Sequence, residues 1–265
     1  MHSLVDAATL QQLEGELCMS KLGKNDAFAV LIDADNASAR HADAIFEEVA
    51  TFGEAMIRRV YGDFASEALK SWDRAIQEHA ILQQQQRNNT TGKNAADIAL
   101  VIDAMDLLYK GTLDGVCLVS SDSDFTRLAQ RLREEGLTVI GIGEKKAPLA
   151  FRNACNRFIF VENLTTQDAG ATATPDKDPP SKAVPLIRRA VAGLEDDDGW
   201  VKLGPLGAKV HAMVPDFDTR TYGETKLSGL VEKSGAFEMK RNPSGHFVIK
   251  ERKSEKQKDP ASTKA

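Results

Sequence analysis

Two apolar runs without polar alternation constrain the fold of this chain more than any other feature: AFAVLID at residues 27–33 and GVCLVSS at residues 115–121. When both alternate positions of a run are apolar, the strand is buried on both faces, as in the interior of a parallel sheet covered by helices. Around these runs strand-like and helix-like segments alternate. Helical spacing over 40–51, 66–79, 94–109, 123–134 and 148–155 is interleaved with strand-like runs over 54–62, 81–86, 137–143 and 157–162. The loop NNTTGKN at residues 88–94 leads into the third of these helices. That order predicts an α/β fold built on a doubly wound parallel sheet.

The chain has 265 residues, 42% of them hydrophobic, and a formal charge of −5, which is enough for one large or two modest domains. No apolar stretch approaches the roughly 20 residues needed to span a bilayer, and no basic segment followed by an apolar core opens the chain. A cytoplasmic location without membrane attachment is therefore expected. Cys18, Cys117 and Cys155 stand far apart without CxxC spacing, which indicates neither a disulfide framework nor a zinc site. The acidic balance argues against coating nucleic acid by bulk charge and leaves a local basic patch open.

Residues 1–26 form an N-terminal extension in which Leu4, Ala7, Ala8, Leu10, Leu13 and Leu17 fall near helical spacing behind Ser3 as an N-cap. The sheet domain occupies 27–162. Residues 163–182, rich in Thr, Ala, Asp and Pro and without hydrophobic period, read as a flexible linker. Over 183–250, three helical patterns precede the short alternating runs AFEMK and HFVIK around the turn-like RNPSG, which predicts a small winged helix closed by a hairpin. The charged tail 251–265 reads as disordered.

Acid crowds the C-terminal ends of the two apolar runs, as DADN at 33–36 and SSDSD at 120–124, while KNAAD at 93–97 brings a third acid into the long helix. In open α/β sheets ligands bind outside the carboxyl ends of the strands. Two carboxylates about 4 Å apart repel by roughly 4 kcal/mol at an effective dielectric near 20, so a site gathering Asp33, Asp97, Asp122 and Asp124 must be protonated or neutralised. A hard cation is the natural neutraliser. Mg²⁺ or Mn²⁺ held by Asp33, Asp97 and Asp122 takes oxygen ligands, keeps waters and leaves room for a substrate phosphate. Such an ion stabilises phosphoryl charge and activates water, alone or as one of a pair, so phosphodiester hydrolysis is the reaction this apparatus suits.

Structural roles compete at each position. An Asp at a strand end also makes an Asx turn, as Asp33 could. Asp97, three residues after Asn94, suits a capping box, and Asp124 suits the first turn of a helix. Ser121 and Ser123 read as N-caps or as hydroxyls that orient a ligand. Asp103 lies in AADIALVIDAMDLL, apolar nearly all round and read as buried, where the carboxylate needs an ion-pair partner or supports the metal ligands. A phosphatase of the haloacid dehalogenase type needs DxDx followed by Thr or Val, whereas Asp33 to Ala37 reads DADNA. GIGEKKA at 141–147 lacks the glycine spacing of a dinucleotide site.

VLIDADN, KNAADIALVIDAMDLL and CLVSSDSDFTRLAQRLREEGLTVIGIG together resemble the NYN domain family, the LabA-like branch of the PIN-like nucleases. The resemblance spans 27–162 and implies a PIN-like sheet and a Mg²⁺- or Mn²⁺-dependent endoribonuclease that leaves a 5′-phosphate. Position by position, Asp33, Asp97, Asp122 and Asp124 match the family's acids, and Asn36 matches the polar residue after the first of them. Ser120 and Ser121 depart from the glycine that often precedes the late acid. DDDGWVKLGPLG, PDFDTRTYGETKLSGLVEKSGAFEM and HFVIK over 183–250 are similar to the OST-HTH, or LOTUS, domain, which implies an RNA-binding and protein-binding winged helix. RNA is then the expected partner, with a protein partner for the winged helix and a homodimer as further expectations. Candidate RNA contacts are Lys93, Arg58, Arg127 and Lys145 on the first domain, and Lys226, Lys240 and Tyr222 on the second, the tyrosine for base stacking. Arg59, Lys146 and Arg152 are further phosphate-facing candidates on the first domain, Lys233, Arg241 and Lys250 line one side of the second, and Trp200, Phe217 and Phe237 read as core. A non-catalytic RNA adaptor is the competing class.

Overall fold

The computed structural model describes residues 26–86, 94–164, 177–194 and 198–252. The expected N-terminal helix, Lys93, most of the linker and the charged tail beyond Arg252 lie outside the described residues, and Glu251, read as tail, belongs to a strand. The chain divides into two compact units, Met1–Val119 with Glu134–Thr138, and Ser120–Arg133 with Val139–Ala265.

In the first unit β1 (Ala27–Asp33) is buried along its whole length, as its unalternated Val, Leu and Ile require of an interior strand. It pairs in parallel with β2 (Glu54–Gly62) and with β4 (Gly115–Val119), while β3 (Leu82–Gln85) adds a polar edge beside β2. Three helices accompany these strands: α1 (Ala42–Ala50), α2 (Trp72–Glu78) and α3 (Ala95–Lys110). Helix α3 packs on β1 and β2 through Ala96, Leu100, Ala104 and Leu107, one face at i, i+4, i+8 and i+11. It ends at Gly111, whose φ of 65° is the left-handed conformation that closes a helix. The expectation that this helix is buried all round is corrected: Ile98, Ile102 and Tyr109 are exposed, because only the sheet-facing side has a neighbour to cover it.

The second unit holds α4 (Thr126–Glu134) and β5 (Thr138–Gly143) except for Glu134 and Thr138, together with α5 (Leu149–Ala154), β6 (Arg157–Phe160) and the short α6 (Val161–Leu164). The parallel sheet runs β3-β2-β1-β4-β5-β6, so the expected doubly wound α/β architecture is present. Val161 and Glu162, read as strand, turn into α6 instead. Beyond them α7 (Val184–Val191), β7 (Val201–Lys202), α8 (Leu203–Met213), α9 (Leu227–Ser234), β8 (Phe237–Arg241) and β9 (Phe247–Glu251) build a three-helix module with an antiparallel sheet, β7-β9-β8. Its core joins Ile187, Leu206, Val210, Phe217, Leu230, Phe237 and Ile249, each fully buried apolar side chain stabilising the module by roughly 1.5–3 kcal/mol. Strand β7 has only two residues, too few for any alternation to reveal it.

Both ends of the expected linker are held by specific bonds. Asn163 lies in α6 and its Nδ2 donates to Thr221 Oγ1 at 3.0 Å, while Asp178 N donates to Thr221 O at 3.0 Å. Phe158 N on β6 donates to Pro215 O at 2.9 Å, and Arg152 on α5 pairs with Asp216 at 2.5 Å. The three-helix module thus docks on the β6 side of its own unit. Cys117 and Cys155 are buried in the core and form no disulfide among the described residues.

Candidate functional site

The parallel register sets Ile32 opposite both Val60 and Val119, so β1, β2 and β4 end along one edge. Asp33, the last residue of β1, is 1% exposed, and its carboxylate is held from two sides. Oδ1 accepts from the backbone N–H groups of Asp35 (3.1 Å) and Asn36 (3.3 Å), and Oδ2 accepts from Asn36 Nδ2 at 2.9 Å. DADN therefore folds as an Asx turn that closes on its own first acid, with the Asn36 side chain bonded to Asp33. Burial raises the Asp35 carboxyl, and the charges of Asp33 and Asp63 raise it further. Asp63 is an acid that sequence reasoning missed. Its signal was its position directly after the buried end of β2, and its Oδ1 accepts from Gln85 Nε2 at 2.7 Å.

Asp97 lies half-buried in the first turn of α3. Asn94 precedes that helix without a side-chain cap bond, so the full capping box is not formed. Asp103, two turns further on, receives hydrogen bonds from Arg59 Nη1 on Oδ1 and from the Tyr61 hydroxyl on Oδ2. Desolvation, reinforced by Asp103, pushes the Tyr61 phenol far above its ordinary pKa, so it stays protonated and donating. Asp103 is thereby an ion-paired acid.

In the second unit the loop after β4 is built by its serines. Ser120 Oγ accepts from Asp122 N at 3.0 Å, and Ser121 Oγ accepts from Glu144 N at 2.8 Å, beyond the end of β5. The two serines tie the loop with hydroxyls that glycine lacks. Gly143 is required opposite them, since a Cβ there would stand 2.4 Å from Ser120 O. The expectation that Ser121 and Ser123 cap the following helix is corrected: Asp122 is the cap, its Oδ1 accepting from Asp124 N at 2.9 Å. Ser123 Oγ only leans on Asp122 Oδ1 at 3.4 Å. Asp122 is half-exposed and Asp124 exposed.

The donors at these strand ends are carboxylate and amide oxygens, a set whose chemistry fits a hard divalent ion. Among the described residues no group of three or more His, Cys, Asp or Glu is gathered so as to hold a metal.

Several expected RNA contacts are engaged in the fold. Arg58 donates to Ala55 O and His79 O and lies over Phe46, Arg59 pairs with Asp103, and Arg152 pairs with Asp216. These guanidiniums hold strands and helices together, which corrects their reading as phosphate ligands. Arg127 bonds Gln130 on the surface of α4, and Lys145 and Lys226 are exposed. Tyr222 is half-buried and tilted against Phe217 at 5.9 Å, part of the packing rather than a free stacking platform. Phe217 and Phe237 are core, whereas Trp200 is half-exposed, with Lys240 Nζ 3.8 Å and Lys250 Nζ 5.9 Å from its ring centre. Arg241 lies over Phe247 at 4.4 Å on the same hairpin. An aromatic surface flanked by cations is a form suited to single-stranded nucleic acid.

A doubly wound parallel sheet carrying acids beyond its strand ends, followed by a small module of three helices and a three-stranded sheet, defines a PIN-like α/β protein with an appended winged helix. The chain belongs to the NYN domain family, which matches residues 27–162, and its residues 176–249 match the OST-HTH/LOTUS domain. NYN domains belong to a nuclease superfamily and OST-HTH/LOTUS domains are RNA-binding modules. An uncharacterized protein of Methanocaldococcus jannaschii, MJ0482, is 30% identical over 120 residues, 43% of this chain and 46% of that protein, so the match spans less than half of that relative. Two solved structures are similar. VPA0982 from Vibrio parahaemolyticus, a protein of unknown function, shares 16% identity over 51% of this chain and 93% of its own, with a TM-score of 0.44. An uncharacterized protein from locus NE0665 of Nitrosomonas europaea shares 28% identity over 35% of this chain and 92% of its own, with a TM-score of 0.28. Among the described residues no helix is long and apolar enough to cross a membrane.

Proposed function

We propose that this protein is a cytoplasmic endoribonuclease dependent on Mg²⁺ or Mn²⁺, which hydrolyses RNA to 5′-phosphate ends while its C-terminal module holds the strand. The observation that carries the reading is the buried Asp33, fixed by three hydrogen bonds at the end of β1 in a chain of the NYN family. Asp33, Asp97 and Asp122 would hold the ion. When bound, the ion would supply positive charge to the phosphodiester and lower the pKa of a water. Asn36 keeps Asp33 oriented, Asp124 positions the attacking water, and Ser120 and Ser121 keep the Asp122 loop in shape. Attack on phosphorus breaks the bond to the 3′ oxygen, which takes the proton, and leaves the phosphate on the 5′ end of the downstream fragment. Trp200, Lys240 and Lys250 offer a stacking face and charge for the strand.

The test is incubation of the purified protein with single-stranded RNAs and Mg²⁺ or Mn²⁺, comparing wild type with Asp33→Asn and Asp122→Asn. Ion-dependent cleavage to 5′-phosphate ends, lost in both variants, is expected. Cleavage that survives in both, or is missing from the wild type on varied RNAs, overturns the proposal. A non-catalytic RNA adaptor is the second reading. It is favoured by the local structural duties of Asp33 in its Asx turn and Asp122 as a cap.

A further inference from the structure

A groove of about 360 Å³ opens in the first unit between the β2–β3 edge and the outer face of α3, at the small end of the range for ligand sites. One wall is polar. Gln84 and Gln86 are two residues apart, so they share one side of the extended edge, and both line the groove. Gln85 points the other way and is occupied by Phe64 and Asp63, whereas the side-chain amides of Gln84 and Gln86 have no hydrogen-bond partner among the described residues. The opposite wall is apolar: Ile98 and Ile102, one helical turn apart, are 60% and 57% exposed. Between the walls Asp103 is locked by Arg59 and Tyr61, one bond to each oxygen. A carboxylate has about four acceptor positions, so Asp103 retains capacity for another donor.

From this geometry we infer that the groove is a nucleobase subsite selecting amine-bearing bases, adenine first. Ile98 and Ile102 offer a flat apolar surface to the base, and a glutamine amide matches the paired donor and acceptor of adenine. Asp103 accepts from an exocyclic amine and repels the O4 carbonyl of uracil. The subsite also stands close to the acid of the proposed reaction. Tyr61, on the groove floor, is the cross-strand partner of Asp33, about 4.8 Å away in the sheet direction. The inference deepens the ribonuclease reading and rests on it for the identity of the ligand.

The experiment separates the two. The full chain, in EDTA, is photo-crosslinked to a single-stranded oligonucleotide carrying 8-azidoadenosine. Crosslinked peptides are mapped under competition by oligo(A) or oligo(U), with ion-dependent cleavage sites mapped in parallel. Crosslinks within residues 82–86 and 98–103 are expected, with oligo(A) competing roughly tenfold better than oligo(U). That ratio falls to near one in the Gln84→Leu, Gln86→Leu double variant, whose thermal midpoint is unchanged. Ile98→Trp, on an exposed position, narrows the groove and removes the crosslinks. Crosslinks confined elsewhere, or an adenine preference that survives both variants, overturn the inference and leave the nuclease reading standing. Groove crosslinks with the adenine preference, in a protein that cleaves no RNA, overturn the nuclease reading alone. If Ile98→Trp instead abolishes a concentration-dependent dimer and leaves crosslinking untouched, the face belongs to a second copy and the inference falls.

Discussion

Replacing Asp33 by Asn separates a carboxylate kept for an ion from one kept for its turn. Asp33 is almost fully buried, and its charge, after burial itself, is the next cause of the raised Asp35 carboxyl, followed by Asp63. Two unit charges about 4 Å apart repel by about 4 kcal/mol at an effective dielectric near 20, which is an upper bound for this pair. The exposure of Asp35 screens much of this, leaving a relief of about 1 kcal/mol when Asp33 is neutralised. Against that, Asn at position 33 still accepts from the Asp35 and Asn36 N–H groups, and the Asn36 amide turns over to keep its bond. The loss is then the difference between charged and neutral hydrogen bonds, again about 1 kcal/mol. The terms cancel. The thermal midpoint of Asp33→Asn in EDTA should lie within about 4 °C of wild type. Ion binding separates the proteins: at a hundredfold excess over its dissociation constant a bound ion adds about 2.7 kcal/mol to the wild type, and Mn²⁺ should raise only its midpoint. The assay is differential scanning calorimetry with and without Mn²⁺, beside RNA cleavage. A variant that is much less stable in EDTA, responds to Mn²⁺ like wild type and still cleaves RNA would refute the reasoning and leave Asp33 as a turn residue.

Three further outcomes follow from the second unit. The Arg152–Asp216 pair, with side chains 22% and 14% exposed, stands between surface and buried pairs. Asp216→Ala should therefore cost about 1–3 kcal/mol, and a double-mutant cycle with Arg152→Ala by urea unfolding should show coupling near 1 kcal/mol; zero coupling would mean that the pair does not fasten the module. His211 is held below its ordinary 6.5 by burial and then by Arg157, so the unfolded chain takes up a proton before the folded one does and stability falls as pH drops below about 6.5. His211→Phe should flatten that part of the stability profile, while Asp218, whose carboxyl Arg220 holds low despite burial, acts only at more acid pH. Trp200→Ala should weaken single-stranded RNA binding by about 1–3 kcal/mol without altering its salt dependence, whereas Lys240→Ala should lower the salt slope by about 0.7; equal effects on both quantities would refute the separate roles.

Strand order and the acids at strand ends were legible because both rest on local rules. AFAVLI has no polar position that could face water, so β1 had to be interior, and the acid that closes such a strand had to stand at an edge. What was not legible depends on which neighbour a side chain meets. An Ile on the outer face of α3 has the same chemistry as one in the core, and only the single-sided packing of that helix leaves Ile98 and Ile102 uncovered. Arg58, Arg59 and Arg152 look like phosphate ligands in sequence, yet each finds a carbonyl or carboxylate partner far away in the chain. Trp200 looked like core because large aromatics usually are, but it is half-exposed and carries two lysines from a hairpin some forty and fifty residues on.

Asp103 takes the first of its two readings. Read along the helix it needed an ion-pair partner or supported the metal ligands. In the fold, one oxygen is bonded to Arg59 and the other to Tyr61, and these two residues sit two apart on β2, on one side of the strand. A carboxylate held by two donors from one strand of the sheet does not rotate freely, so whatever it meets on its open side meets a fixed acceptor. An acid that only balanced Arg59 would need no second donor and no groove beside it. The sheet end that orders Asp33 through Asn36 thus also orders, one strand over, an acceptor facing Gln84 and Gln86, and a substrate aligned by the second would be presented to the first.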